Sequence, residues 1–204
     1  MWGYSALPLQ WRRRVFGWPG MRDADLVRVA DAIHRGGVDR SSWPHAAHQS
    51  YSHWGGTDAL AVHPHDDGVV LSGIDAAYGR QSIPGGRIDA VVSLCRVGTE
   101  DLDHLGLPPE DRIEVRLIDT SLPSDNPNLQ LVMDEAADAV AGFRAEGKRV
   151  LLHCVAAQSR TPSVAALYSV RHRGIDPEAA LREACDALPA ASPNAALAAS
   201  VRPA

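Results

Sequence analysis

From about residue 68 onward, short β-branched runs alternate with amphipathic helical stretches, and this alternation is what most limits the folds open to the chain. The runs at 69–73, 88–95, 113–118 and 149–153 have the length and the Val, Ile and Leu content of buried strands. Between the last two, Leu129, Val132, Met133, Ala136, Ala137, Val140 and Phe143 recur at helical spacing, which predicts a helix over 129–146 closed by Gly147. Further helices are expected at about 162–173 (stopped by Gly174), at 177–188, and briefly after Pro193. Strands that alternate with helices predict a three-layer α/β/α domain over 68–204, with a central sheet of four to five mostly parallel strands.

Residues 1–67 have a different texture and form an expected N-terminal extension. All five tryptophans lie there (Trp2, Trp11, Trp18, Trp43 and Trp54), with Pro, Gly and His scattered among them. Leu26, Val29, Ala30 and Ile33 predict one helix at about 23–35, ended by Gly36 and Gly37, and 41–67 has no period and is expected to be a long loop. The extension would narrow access to a pocket in the following domain.

Over all 204 residues, 45% are hydrophobic and 22% charged, which excludes wholesale disorder. A net charge of −5 argues against nucleic acid or a membrane surface as partner. No apolar run approaches the roughly 18–20 residues that cross a bilayer, and the N-terminal residues lack the order of a secretory signal, so the expected location is cytoplasmic. Cys95, Cys154 and Cys185 are odd in number and widely spaced, which fits neither a disulfide framework nor structural zinc.

The chemistry concentrates in 150–168. A buried strand ends at His153, Cys154 opens a loop of small residues (Val155, Ala156, Ala157, Gln158 and Ser159), and a helix begins near Arg160 or Thr161 with Pro162 in its first turn. Such a loop turns backbone N–H groups inward at the positive end of a helix dipole, a cradle for an anion of phosphate size. The same field favours the thiolate of Cys154, a nucleophile. Arg160 is able to grip an oxyanion with two parallel hydrogen bonds, which lysine does not copy. Thr161 and Ser159 offer hydroxyls nearby.

The stretch HCVAAQSRT resembles the Cys-x5-Arg-Ser/Thr signature of the protein tyrosine phosphatase superfamily, in its small dual-specificity-like branch. The similarity runs over roughly 68–197, including the Ser-Gly turn after the first strand, the VVSLC strand and Pro193-Asn194 before the last helix. It implies a cysteine-dependent phosphate monoester hydrolase acting on phosphorylated protein or a small phosphomonoester, with no cofactor and no metal. In that scheme Cys154 carries a phosphocysteine intermediate, and the loop 155–160 binds phosphate with Arg160 stabilising the transition state. Thr161 helps the thiolate depart, and His153 tunes the nucleophile. A general acid is implied just past the third strand. Asp119 stands there and is favoured over Asp125, since Asp125 or Asn126 is placed to cap the next helix. One position departs from the pattern: Ala157 replaces the usual glycine, at a cost of about 1 kcal/mol or more if the loop needs positive φ.

Two other classes compete, a catalytically weak phosphate-binding module and a sulfur-transfer enzyme of rhodanese type. Elsewhere, simpler readings prevail. Cys95 and Cys185 are expected to be packing residues, although a nearby Cys95 would also protect Cys154 as a disulfide partner. His63 and His65, with Asp66 and Asp67 beside them and His45, His48 and His53 upstream, are expected in a solvated loop and not around a metal. Arg12, Arg13 and Arg14 are expected to make a solvated basic turn, and Arg96 is expected at the surface, with its place after a strand offering the pocket mouth as the alternative.

Overall fold

In the computed structural model, the described residues are 59–95, 97, 100–115, 117–123 and 125–202. The helix expected at 23–35, the tryptophans, Arg12–Arg14, His45, His48, His53 and Arg96 lie outside them. Among the described residues a five-stranded sheet runs in the order β1-β2-β5-β3-β4, with β1 Leu60–His63, β2 Asp66–Ser72, β3 Ala90–Ser93, β4 Arg112–Glu114 and β5 Val150–His153. The edge strand β1 pairs antiparallel with β2, and every other pairing is parallel.

Strand alternation divides the core in two. Val69, Leu71, Ala90, Val92, Val150 and Leu152 face the layer made by helices α2 (Leu129–Ala145), α3 (Arg160–Arg173), α4 (Pro177–Ala187) and α5 (Ala195–Ala199). Val70, Val91 and Leu151 face the opposite layer, where the single-turn helix α1 (Ile74–Ala77) and the 3-10 segment Glu100–Leu105 pack. This is the expected three-layer arrangement. Met133, Ala136, Ala137, Val140 and Phe143 form the buried stripe of α2. Gly174 ends α3 in the left-handed conformation, φ 69°, where a Cβ would be strained.

Two expectations need correcting. The long loop assigned to 41–67 ends in β1, so the sheet begins before residue 68. A four-residue edge strand with mixed burial carries no alternation by which to recognise it. The solvated loop expected around His63-Pro64-His65-Asp66 is instead a tight hairpin folded against α3. His63 and Asp66 are buried there. Asp66 accepts hydrogen bonds from Tyr168 (2.6 Å), from Arg144 (3.0 and 3.1 Å), from the Gly68 amide (3.0 Å) and from Arg173. Burial alone would push this carboxyl up; the donors outweigh it and hold the group well below the usual carboxylate range. A side chain at Gly68 would collide with the Arg144 guanidinium in this cluster.

His63 accepts from the His65 amide at Nδ1 (3.0 Å), so the Nε2 proton is free to go to the Ala165 carbonyl (3.1 Å). Burial lowers its pKa to about 4, against a partial opposing effect of the Ala165 bond. A histidine buried neutral makes the unfolded chain the better proton binder between pH 6.5 and 4, so its share of stability is present above that window and lost as pH falls through it. Denaturation midpoints are therefore expected to fall across this range. The slope in His63→Gln should be shallower by up to about 1.4 kcal/mol per pH unit. Equal slopes in the two proteins would contradict the assignment.

Candidate active site

The parallel register sets where the site lies. Ser72 of β2 and Ser93 of β3 both stand opposite His153 of β5, so three strands finish level and the following loops share one edge. In open α/β sheets that carboxyl edge is where ligands bind. The chain leaves β5 at His153, makes the loop 154–159 and enters α3 at Arg160, as the sequence predicts.

His153 is fully buried, and burial brings its pKa down to about 4. Its Nδ1 lies 3.3 Å from the Cys154 carbonyl, which only accepts, so Nδ1 holds the proton. The Ser93 hydroxyl then donates to Nε2 at 2.7 Å. This neutral imidazole braces the backbone of Cys154 from inside the sheet.

The loop is held from several sides. The Ile74 amide donates to the Val155 carbonyl (3.0 Å), the Ser192 amide to the Gln158 carbonyl (2.6 Å), and the Ser163 hydroxyl to the Ser159 carbonyl (2.8 Å). Cys154, Val155, Ala157 and Ser159 are buried, Ala156 is half-buried and Gln158 is exposed. Ser159 occupies the N-cap of α3 without a side-chain cap bond, leaving the first helical amides uncapped by it. The Thr161 hydroxyl, expected beside the sulfur, donates to the Ser72 carbonyl at 3.4 Å.

Arg160 is positioned through one end of its fork. Nη1 donates to the carbonyls of Leu94 (3.2 Å) and Leu117 (3.0 Å), which follow β3 and β4. Nε is buried with no hydrogen-bond partner among the described residues, and lies 3.7 Å from Asp119 Oδ2, within ion-pair range but beyond a hydrogen bond. Asp119 is thus brought to the guanidinium, 38% exposed in its side chain. Asp125 sits half-buried in the turn before α2, its amide bonded to the Leu122 carbonyl (3.1 Å). Neither Asp125 nor Asn126 caps α2, whose N-cap is Asn128. The Asn126 side chain instead grips the Ile118 peptide at both ends (3.1 and 2.9 Å), fixing the backbone next to Asp119.

Cys95, at the end of β3, is buried, and burial pushes its thiol far up against the opposing charge of Arg160. It is a protonated packing residue, as expected. Cys185 is partly buried on α4.

Sequence reasoning missed Ser93 and the roles of Asn126 and Asn194. Asn194 donates to Asp119 Oδ1 (2.8 Å) from its side chain and to Ser159 Oγ (3.0 Å) from its backbone. A signal existed for Ser93, a polar residue within the apolar Val91-Val92-Ser93-Leu94, which demands a buried partner.

Ala157 has φ 54°, the one positive φ outside glycine among the described residues. Its methyl is also part of the core. Replacement by glycine relieves about 1–2 kcal/mol of left-handed strain, gives back about 0.4–1 kcal/mol through the looser unfolded chain, and loses about 0.8 kcal/mol of buried methyl. These nearly cancel. Ala157→Gly should therefore match the parent within about 1 kcal/mol in urea denaturation, while Ala157→Val, branched and overpacked, should lose about 2 kcal/mol or more. A valine variant as stable as the parent would refute the tight left-handed loop.

No family model matches the chain. A curated relative, dual specificity protein phosphatase 1 of Arabidopsis thaliana, is 31% identical over 81 residues, which is 40% of this chain and 39% of the relative. The chain thus spans well under half of that relative's length in the match. Among solved structures, human DUSP28 aligns over 70% of this chain and 89% of its own at 21% identity and a TM-score of 0.54. The PTP-2 phosphatase of Cydia pomonella aligns over 71% and 88% at 23% identity and a TM-score of 0.53. The fold is that of the dual-specificity and tyrosine phosphatases.

Proposed function

We propose that this chain, on a fold shared with dual-specificity and tyrosine phosphatases, hydrolyses phosphate monoesters through a phosphocysteine on Cys154. The substrate class is phosphotyrosine, phosphoserine or phosphothreonine on protein, with a catalytic domain that begins at β1, ahead of the boundary expected at residue 68, and the residues before it as an N-terminal extension. The free cysteines fit a reducing, cytoplasmic setting. The observation that carries the reading is Arg160, the residue at which the Cys154 loop enters α3, anchored through Nη1 while its buried Nε faces Asp119.

The steps follow from these positions. The Cys154 thiolate attacks phosphorus in line, forming S–P as the bond from phosphorus to the leaving oxygen breaks. Asp119 supplies that oxygen with a proton, and is preferred over Asp125 because of its pairing with Arg160. Arg160 and the loop amides of 155–160 take the charge on the equatorial oxygens. Water then attacks the phosphocysteine and gives its proton to Asp119. The S–P bond breaks, releasing inorganic phosphate and the thiolate. His153 holds Cys154 in place through its carbonyl, and Thr161 fastens the start of α3 to β2.

A second reading, a phosphate-binding module with little turnover, draws on Ala157 at φ 54°. Pre-steady-state mixing with p-nitrophenyl phosphate separates the two. A hydrolase gives a burst of p-nitrophenol that disappears in Cys154→Ser, and Asp119→Ala lowers turnover of phenyl phosphate by about 10²–10⁴-fold. A pure binder gives no nitrophenol. A sulfur-transfer enzyme would keep its activity in Asp119→Ala.

A further inference from the structure

We infer that Asn194 is the positioning residue for the proton donor: it decides which oxygen of Asp119 carries the acid proton. The inference rests on the functional reading above and deepens it. Asn194 is the N-cap of α5, its Oδ1 accepting from the Leu197 amide at 3.0 Å. That bond fixes the direction of the side-chain amide, since the oxygen end is committed to the helix. Nδ2 then faces Asp119 Oδ1 at 2.8 Å, with Ser159 Oγ at 3.4 Å.

An amide nitrogen donates and does not accept. Asp119 Oδ1 must therefore be the accepting oxygen, whether the carboxyl is ionised or protonated. A carbonyl oxygen accepts better than a hydroxyl oxygen, so in the acid form this bond favours the proton on Oδ2, the oxygen 3.7 Å from Arg160 Nε and, on the functional reading, the one nearer the phosphate. The arrangement matters because the Asp119 side chain is partly exposed, in a loop where Ile118 and Leu122 are exposed as well. Asn194 also ties its own amide to Ser159 at the start of α3, and Ser192, two residues earlier, bonds to the Gln158 carbonyl. One short segment thereby links the acid to the phosphate loop.

The test uses the full chain and Asn194→Ser, which keeps an N-cap of equal rank but lacks a group long enough to reach Asp119. Two esters are compared, phenyl phosphate, whose leaving oxygen needs a proton, and 2,4-dinitrophenyl phosphate, whose leaving group departs without one. The expected result is a ~10–100-fold fall in kcat on phenyl phosphate. On the dinitrophenyl ester the change should stay within about twofold, KM should be unchanged for both, and the thermal midpoint should be retained. In an Asp119→Ala background the serine substitution should add nothing. Equal losses on both esters, or no loss on phenyl phosphate, would overturn the inference while leaving the hydrolase intact. A parent protein with no Cys154-dependent turnover of either ester would overturn both.

Discussion

The site depends on β5 being paired in parallel on both sides with its end level with those of β2 and β3. That register puts Ser93 across from His153, and their hydrogen bond lets an uncharged imidazole sit wholly inside the sheet. From there His153 reaches the carbonyl of the residue that follows it. A slip of one residue would turn His153 toward the opposite face and separate it from Ser93. The position of Cys154 is therefore a property of the sheet more than of its own loop.

Arg160 extends the same logic. Its guanidinium is held by carbonyls just beyond β3 and β4, so two further strand ends define where the charge stands. β4 leaves the ladder after only three residues. Val115 still bonds to the Ser93 carbonyl, and Leu117 offers its carbonyl to Arg160, before the chain swings out to Asp119. The early end of that strand is what lets a half-buried arginine and a partly exposed acid meet. Ala157, in the left-handed region and packed in the core, shows that the loop's shape is kept where glycine would be easier.

Much of this was legible in the sequence because the governing signals are local. The stripe of α2, the Gly174 stop of α3 and the passage from β5 through Cys154 to Arg160 follow from spacing within a few turns, while Asp119 was singled out by the family resemblance. The departure at Ala157 marked the strained backbone position in advance. What stayed hidden depends on distant partners. His63 and Asp66 resemble loop residues until Ala165 and Tyr168, each 102 positions further on, close over them. The expected cap at Asn126 proved to be a clamp on Ile118, and Asn194 reaches across 75 positions to Asp119. A polar residue's partner over such distances is set by topology, which a local pattern does not encode.

The central claim is that the loop from Cys154 to Arg160 is a cradle for a tetrahedral oxyanion, with the guanidinium fork as its main source of affinity. Calorimetric titration of the Cys154→Ser protein with tungstate tests it without any turnover. The account predicts saturable binding of one anion per chain, weakened by at least about tenfold when Arg160→Lys is added, since an ammonium does not reproduce two parallel hydrogen bonds. Binding of equal strength with lysine in place, or no binding in the parent, would contradict it.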